Sequence, residues 1–399
     1  MPTLTIARGT DKTRSLDRTY AVLHEALEHI GGIRSFVRPG QSVLIRPDQS
    51  VPRLSETGAT TDPLIVAALV RMALDAGAKD VRVGVSSWGF LDSLEMMAET
   101  GMAVAATQAG AECTELGGSN VSNREVDLFE GKTLQRVSLP EAILDADVTI
   151  AVPKARTSFV DHISGSLCYC EGSVNQNWRA YASCEADYLE RLADVMMAIR
   201  PDLWITDALV CGEGDSPHAS SPHWCGCILA TADPVANDTA IASVLRCDWR
   251  KLQFAKALEH RGMGHREPLV VLGATLERVA FSAWPARQGV EYLPVNFIAG
   301  KGVTEAGTTG SVKAALAMLL QHGQLEQATR KLGTPTILAG DAEDPNFGEH
   351  IAAGPYFVFD DAAPDKYKSD PRVHFVPGHP VMETALPALM KALGIRQLS

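Results

Sequence analysis

Ser42-Val-Leu-Ile-Arg46, Asp62-Pro-Leu-Ile-Val-Ala-Ala-Leu-Val-Arg-Met-Ala-Leu-Asp-Ala-Gly77 and Asp80-Val-Arg-Val-Gly-Val85 follow one another near the start of the chain, and their reading decides the fold. The first is a short apolar run and reads as a buried strand. In the second, Pro63 takes a first-turn position, a helix reads over Leu64–Ala76, and Gly77 closes it. The third run is again a strand. Strand, helix and strand in this order predict α/β layers around a largely parallel sheet.

The same alternation continues outward. Leu91–Thr100 reads as a helix ending at Gly101. Strands at Val148–Val152 and Leu203–Ala208 flank a helix at Leu189–Ile199, and a further strand covers Leu269–Leu272. Residues 280–300 are richer in aromatics, Pro and Gly. Beyond them lie a helix at Ser311–Gln321, strands at Thr336–Ala339 and Tyr356–Asp360, a short run His374–Val376, and a helix at Val381–Leu393. The expected architecture is α/β, a largely parallel sheet flanked by helices, with a second smaller α/β domain and a cleft between them. The boundary is placed near residue 285, giving domains 1–285 and 286–399. No internal repeat is present.

Composition narrows the class. The 399 residues are 46% apolar and 21% charged, as in ordinary globular chains. Acidic residues exceed basic ones, 48 − 36 = 12, so the formal net charge is −12. Without a basic cluster, nucleic acid is not expected as a partner. Met1-Pro-Thr-Leu-Thr-Ile-Ala-Arg8 has no signal-peptide pattern. Arg71 and Asp75 interrupt the longest apolar run, which falls short of the ~20 residues that cross a bilayer. A cytoplasmic location follows as the expectation. There the cysteines at 113, 168, 170, 184, 211, 225, 227 and 247 read as core thiols, metal ligands or catalytic groups rather than disulfides.

Three polar segments follow predicted strands, where open α/β sheets bind ligands. The first is Arg46-Pro-Asp48-Gln-Ser50, continuing to Glu56-Thr-Gly-Ala-Thr60-Thr61-Asp62. Its backbone N–H groups at a helix start suit a carboxylate or phosphate, although Thr61 or Asp62 also reads as a simple helix cap. Arg46 and Asp48 read as functional, since a buried strand rarely ends in unpaired charges. The second runs from Lys154-Ala-Arg156 through Asp161-His162-Ile-Ser164-Gly-Ser166-Leu-Cys168-Tyr-Cys170-Glu171. Thiols and imidazole suit Zn, Cu and Fe–S centres, and a nearby cation activates a thiol. Equally, Cys-Tyr-Cys fits one face of a strand, and His162 fits a core histidine. The third segment, Cys211-Gly-Glu213 through His223-Trp-Cys225-Gly-Cys227, offers a second thiol and imidazole group, or thiols buried against a sheet. Asp233 reads as a helix cap, with Asp238 one turn into that helix.

No G-x-x-x-x-G-K-[ST], no G-x-G-x-x-G after an early strand and no G-x-S-x-G is present, so nucleotide fingerprints and serine hydrolases lack support.

Several motifs taken together resemble a known family. Val43-Leu-Ile-Arg-Pro-Asp48, Thr60-Thr-Asp-Pro63 and Ala76-Gly-Ala-Lys-Asp-Val-Arg-Val-Gly84 look like the opening of the family catalogued as domain of unknown function 362. Leu144-Asp-Ala-Asp-Val-Thr-Ile150, Val152-Pro-Lys-Ala-Arg-Thr157, Trp204-Ile-Thr-Asp207 and Ala232-Asp-Pro-Val-Ala-Asn-Asp238 continue the likeness over residues 40–275. More distantly, Asp48-Gln-Ser-Val-Pro52, Ser138–Asp147 and the Ser164-Gly-Ser166…Gly172 stretch are similar to nickel-pincer lactate racemases, which implies two α/β domains with a cofactor between them. The sequence departs from those patterns at Cys168, where a lysine is usual, and at Arg46 and Asp48, where the unknown-function family has Lys and Asn. The lysine that would carry a covalent pincer cofactor is therefore missing.

The leading expectation is an enzyme performing a redox or proton-transfer step on a small carboxylate-bearing metabolite. In it, a transition metal (Fe, Ni or Zn) or Fe–S cluster is held by His162, Cys168, Cys170, His223, Cys225 and Cys227, or a subset. Lys154 and Arg156 position the anion, with Arg46, Thr60, Thr61 and Ser164 as further binding residues, and Asp48 or Asp238 is the base. A second expectation drops the metal and makes Cys168 a nucleophile or acid–base group of a racemase, lyase or transferase. A third is a non-catalytic metal or cluster carrier. The expected partner is a small anionic metabolite, with no nucleic acid and no membrane; homo-oligomer formation is left open.

Overall fold

The computed structural model describes the chain except for residues 10–13, 88–91, 119, 176–177, 179–186, 268, 288, 301–307, 379–381 and 397–399. Cys184 and His379 therefore lie outside the described residues. The strands are β1 (Thr3–Arg8), β2 (Ser42–Pro47), β3 (Asp80–Val85), β4 (Glu112–Glu115), β5 (Asn123–Asp127), β6 (Arg136–Pro140), β7 (Val148–Val152), β8 (Lys154–Ser158), β9 (His162–Ile163), β10 (Leu203–Asp215), β11 (Ala219–Thr231) and β12 (Val270–Gly273). In the smaller unit they are β13 (Asn296–Ala299), β14 (Thr336–Ala339), β15 (Tyr356–Phe359) and β16 (Val373–Val376).

The main sheet runs in the order β12-β1-β11-β10-β7-β2-β3-β4, with β8 added to β10 and β9 to β8. Along that path every neighbouring pair is parallel except those made by β11, which is antiparallel to β1 and β10. Every residue of β2 and β7 is buried, as expected where helices cover both faces of a parallel sheet. Asp62 begins the helix Pro63–Asp75 by accepting from the Leu64 N–H at 2.9 Å, and Pro63 fills its first turn. That helix and Leu16–Glu28 bury Leu23, Leu27, Ile65 and Leu69 against Val43, Ile45 and Val83. Each such side chain contributes roughly 1.5–3 kcal/mol when fully buried.

Two segments read as loops are in fact ordered. The one after β7 holds β8, β9 and the helix Gly165–Glu171; the one after Asp207 is a hairpin of two 13-residue strands, β10 and β11. Its Gly, Ser and Pro content gives no strand pattern, because cross-strand register rather than local propensity holds it.

Compact unit one takes in Met1–Ser87, Leu91–Asn175 and Leu189–Ala286; Arg287–Ser399 belongs to the second. The second contains a parallel sheet in the order β13-β14-β15-β16, cored by Leu338, Tyr356, Val358 and Tyr367. Among the described residues no helix is long and apolar enough to cross a membrane.

Asp194, on the helix Tyr188–Ile199, ties down the β5–β6 connection. It accepts from the N–H groups of Lys132, Thr133 and Leu134 at 3.0, 2.7 and 2.9 Å, and from Arg261 Nε at 2.8 Å. Burial opposes its ionisation, but the Thr133 hydroxyl and these N–H groups win and hold the carboxyl at about 2. Asp194→Ala strands those backbone donors and leaves the buried Arg261 guanidinium with Glu190 as its remaining carboxylate partner. We expect a loss of roughly 2–4 kcal/mol in urea unfolding at pH 7; a change below about 0.5 kcal/mol would refute the anchoring role.

Candidate functional site

The carboxyl end of β2 and the middle of β8 deliver opposite charges into the protein interior. Asp48, one residue past β2, accepts from Arg156 Nε at 3.0 Å and Nη2 at 3.3 Å, a two-pronged ion pair with both partners almost fully buried. Two further groups converge on the same carboxylate: Ser164 Oγ at 3.3 Å and Cys168 Sγ at 3.3 Å. Arg156 Nη2 also lies 3.4 Å from Cys168 Sγ. Burial, then the field of Asp48, pushes the Cys168 thiol up against the pull of Arg156, so it is a protonated donor at neutral pH.

The helix Gly165–Glu171 organises this centre. Residues two apart on a helix point about 200° away from each other, which separates its two thiols. Cys168 faces Asp48, whereas Cys170 is fully buried and directed to the Leu192 carbonyl at 3.5 Å. The helix start is fixed from below by Asp238, which accepts from the Ser166 N–H at 2.8 Å and from its hydroxyl. Gly165 is obligatory, since a Cβ there would strike the Asp238 carboxylate and its φ is +44°.

Lys154 and Arg156, expected to hold an anion, are each already matched. Lys154 Nζ donates to Asp207 Oδ2 at 2.8 Å, and Asp207 also accepts from the Asp62 and Leu209 N–H groups. Arg46 differs. It is 5% exposed, stacks over the Tyr169 ring at 4.2 Å, and donates through Nη1 to the Tyr169 carbonyl and the Ser173 hydroxyl. It pairs with no carboxylate among the described residues, and its Nε has no hydrogen-bond partner. Ser86 Oγ, beside the same Gly172 that packs on Arg46, is also buried without a partner.

The remaining expected binding residues are structural. Thr60 Oγ1 donates to the Arg53 carbonyl at 2.7 Å; Thr61 Oγ1 accepts from the Asp48 N–H and donates to the Val152 carbonyl. The helix cap is Asp62. Sequence reading passed over Asp207, Ser86 and Glu171, although Asp207 and Ser86 stand at the carboxyl ends of recognisable strands. Glu171 adds negative field to both Arg156 and Cys168.

The expected metal ligands do not form one donor set. Among the described residues no three or more His, Cys, Asp or Glu side chains are grouped to hold a metal ion. Cys168 and Cys170 diverge on their helix. Cys225 and Cys227 lie on β11, and the His223 ring stacks on Phe281 at 3.6 Å. His162 is the first residue of β9, paired across from Ser158, with φ +65°. The pincer cofactor does not fit either: where it needs a lysine amine, Cys168 offers a thiol clamped between Asp48 and Arg156.

Burial raises Asp238 to about 7 against its bonds from Ser166, and burial likewise raises Asp161 to about 7, where Asp238 adds repulsion. Unfolded carboxyls titrate near ~4, so the folded chain binds these protons more tightly. The resulting stability is complete below about pH 4 and is lost as pH rises towards 7. Asp238→Asn keeps an acceptor for Ser166 and removes the titration. Its melting temperature relative to wild type is expected to climb between pH 4.5 and 8; a difference independent of pH would contradict the buried-carboxyl assignment.

Comparison with known proteins follows the same core. The chain is 27% identical over 252 residues to a thylakoid-associated protein of Synechocystis, covering 61% of this chain and 75% of that one. Among solved structures, the lactate racemase apoprotein of Thermoanaerobacterium thermosaccharolyticum aligns over 98% of this chain and 90% of its own, at 11% identity and a TM-score of 0.38. A structural-genomics protein of Thermotoga maritima aligns over 86% and 76%, at 11% identity and a TM-score of 0.37. The family model described as domain of unknown function (DUF362) matches residues 43–243, which include β2, β8, the helix Gly165–Glu171 and Asp238. Half of the chain, and the whole of the Asp48 centre, thus falls within that match: the protein belongs to the DUF362 family.

Proposed function

We propose that this protein is an enzyme that binds a small carboxylate-bearing metabolite beside Arg46 and moves a proton with Asp48 and Cys168. One observation carries the reading: Arg46 is a buried guanidinium with no carboxylate partner among the described residues, on the strand that leads to Asp48, whose carboxylate is hydrogen-bonded with Cys168 and Arg156. An uncompensated buried cation is costly, and a bound carboxylate offsets that cost with charge-assisted hydrogen bonds. Arg46 Nε and Ser86 Oγ are the donors such a group would take.

The acid–base roles follow from the partners. The Arg156 fork fixes the plane of the Asp48 carboxylate, so Asp48 is the proton acceptor. Cys168 keeps its proton because burial disfavours the thiolate, so it is the donor. A proton leaves the substrate carbon for Asp48, the Cys168 thiol returns one, and the Asp48 proton passes to sulfur across their 3.3 Å contact. Nothing is oxidised or reduced, and the outcome is an isomerisation or proton exchange. Ser164, donating to the same carboxylate, and Asp238, holding the helix start, are positioning residues.

The test is hydrogen–deuterium exchange by NMR, run in D2O on a panel of small mono- and dicarboxylic acids bearing an acidic C–H. At least one acid is expected to raise the melting temperature and to exchange its carbon-bound proton. Asp48→Asn should slow that exchange by about 10²–10⁴-fold while keeping the thermal shift. Arg46→Ala should abolish the thermal shift. A panel in which no acid stabilises or exchanges, or exchange unaffected by Asp48→Asn, refutes the proposal.

A further inference from the structure

Cys211, Cys225 and Cys227 meet between β10 and β11, and the proton-transfer reading leaves them without a task. We propose that Cys225 and Cys227 form a redox pair that closes into a disulfide under attack by a hydroperoxide, with Cys225 the sulfur oxidised first.

The backbone creates this pair. Ala208 lies opposite Cys227 and Val210 opposite Trp224, so β10 advances two residues while β11 advances three. The extra residue is a β-bulge at Cys225-Gly226, a feature that re-aims side chains. Gly226 has φ +72°, and a Cβ there would press on the Trp224 indole at 3.0 Å. In an unbroken strand, residues two apart are separated by about 6.5–7 Å along the chain. Here the two sulfurs stand 3.5 Å apart. A disulfide needs about 2.05 Å, so closure asks for about 1.5 Å of side-chain movement.

Position and surroundings select Cys225 as the first to react. It is 7% exposed, whereas Cys211 and Cys227 are at 0%. Hydrogen bonds from the Cys211 and Cys227 thiols favour its thiolate, and His223 and Arg8 add positive field, against its own burial. The Val279 carbonyl, 3.2 Å from Cys225 Sγ, accepts from the protonated form. Cys211 and Cys227 are both pushed up, so they supply the protons of the trio.

The chemistry balances in two steps. The Cys225 thiolate attacks the distal peroxide oxygen, the O–O bond breaks, and the alkoxide or hydroxide leaves and takes up a proton. The Cys227 thiol then attacks the sulfenic sulfur, the S–S bond forms, and hydroxide departs with the thiol proton as water. Two electrons pass from the sulfurs to the peroxide.

Full-length protein is treated with hydrogen peroxide, unfolded, alkylated and digested for mass spectrometry. The peptide holding Cys225 and Cys227 is expected to escape alkylation and to be lighter by about 2 Da, with dithiothreitol reversing both. Cys227→Ser should instead trap a sulfenic acid on Cys225 that dimedone captures, and Cys247→Ser should behave as wild type. Full alkylation of Cys225 and Cys227 after peroxide overturns the proposal, as does a bridge from Cys225 to Cys211. The wild-type measurement decides the pairing by itself, whether or not Cys227→Ser folds.

Discussion

The matching of buried charge sets the rest of the structure. Lys154 with Asp207, Arg156 with Asp48 and Arg261 with Asp194 are all ion pairs of nearly inaccessible side chains. Attraction at such distances is worth about 6 kcal/mol at an effective dielectric of 20, and it has to offset several kcal/mol of desolvation per ion. Such pairs hold only when further hydrogen bonds satisfy the remaining lone pairs. Asp207 meets this with two backbone N–H groups, Asp48 with Ser164 and Cys168, and Asp194 with three backbone N–H groups. Against that rule Arg46 stands out, since neutral oxygens and an aromatic face are all it has.

Backbone conformation brings the pairs together. The helix Gly165–Glu171 lets Cys168 reach Asp48 and lets Tyr169 reach Arg46, and it starts where it does because Asp238 holds its second N–H. Gly172 leaves room for the Arg46 guanidinium, which a Cβ would meet at 3.1 Å. Gly58 performs the same service beneath β10, where a side chain would strike the Cys211 carbonyl at 2.5 Å. A substitution at Gly172 therefore presses directly on the Arg46 guanidinium, and one at Gly58 presses on the backbone of β10.

The parts of the fold legible in the sequence are those in which local pattern and burial agree. Asp80–Val85, Val148–Val152 and Thr336–Ala339 are apolar or alternating runs with polar ends, and each forms a strand with those bounds. Asp62-Pro63 announces a helix because the cap and the missing N–H both serve its first turn. The β10–β11 hairpin was not legible, because Gly212, Gly214, Ser220, Ser221 and Pro222 carry no strand propensity and long-range pairing overrides them. At the site, Arg46, Asp48, Arg156 and Cys168 stood out as charges or thiols after strands; Asp48, Arg156 and Cys168 share hydrogen bonds, and Arg46 packs on Tyr169 instead. Which cation was spare could not be read, since that depends on Asp207, a residue 53 positions from its lysine. Among the described residues Cys168, Cys170, Cys225 and Cys227 form no common donor set, and each pair is arranged by its own local backbone. A C-x-C spacing means opposite faces on a helix, and it means adjacent sulfurs only at a bulge.

That contrast separates two chemistries of the same element. Cys168 has one carboxylate as its hydrogen-bond acceptor, so burial and then the field of Asp48 combine to keep its proton. A thiol so placed is a poor nucleophile but a serviceable proton donor. Cys225 has two thiols as donors, with a histidine and an arginine beyond them, so the surrounding field favours loss of its proton. The first environment requires a fixed carboxylate, and the Arg156 fork supplies it. The second requires two sulfurs in contact, and an extra residue in β11 supplies that. Neither depends on the other, because the first is built on the helix Gly165–Glu171 and the second on paired strands. One unit of the chain thus holds two thiol sites whose protons are governed by opposite fields.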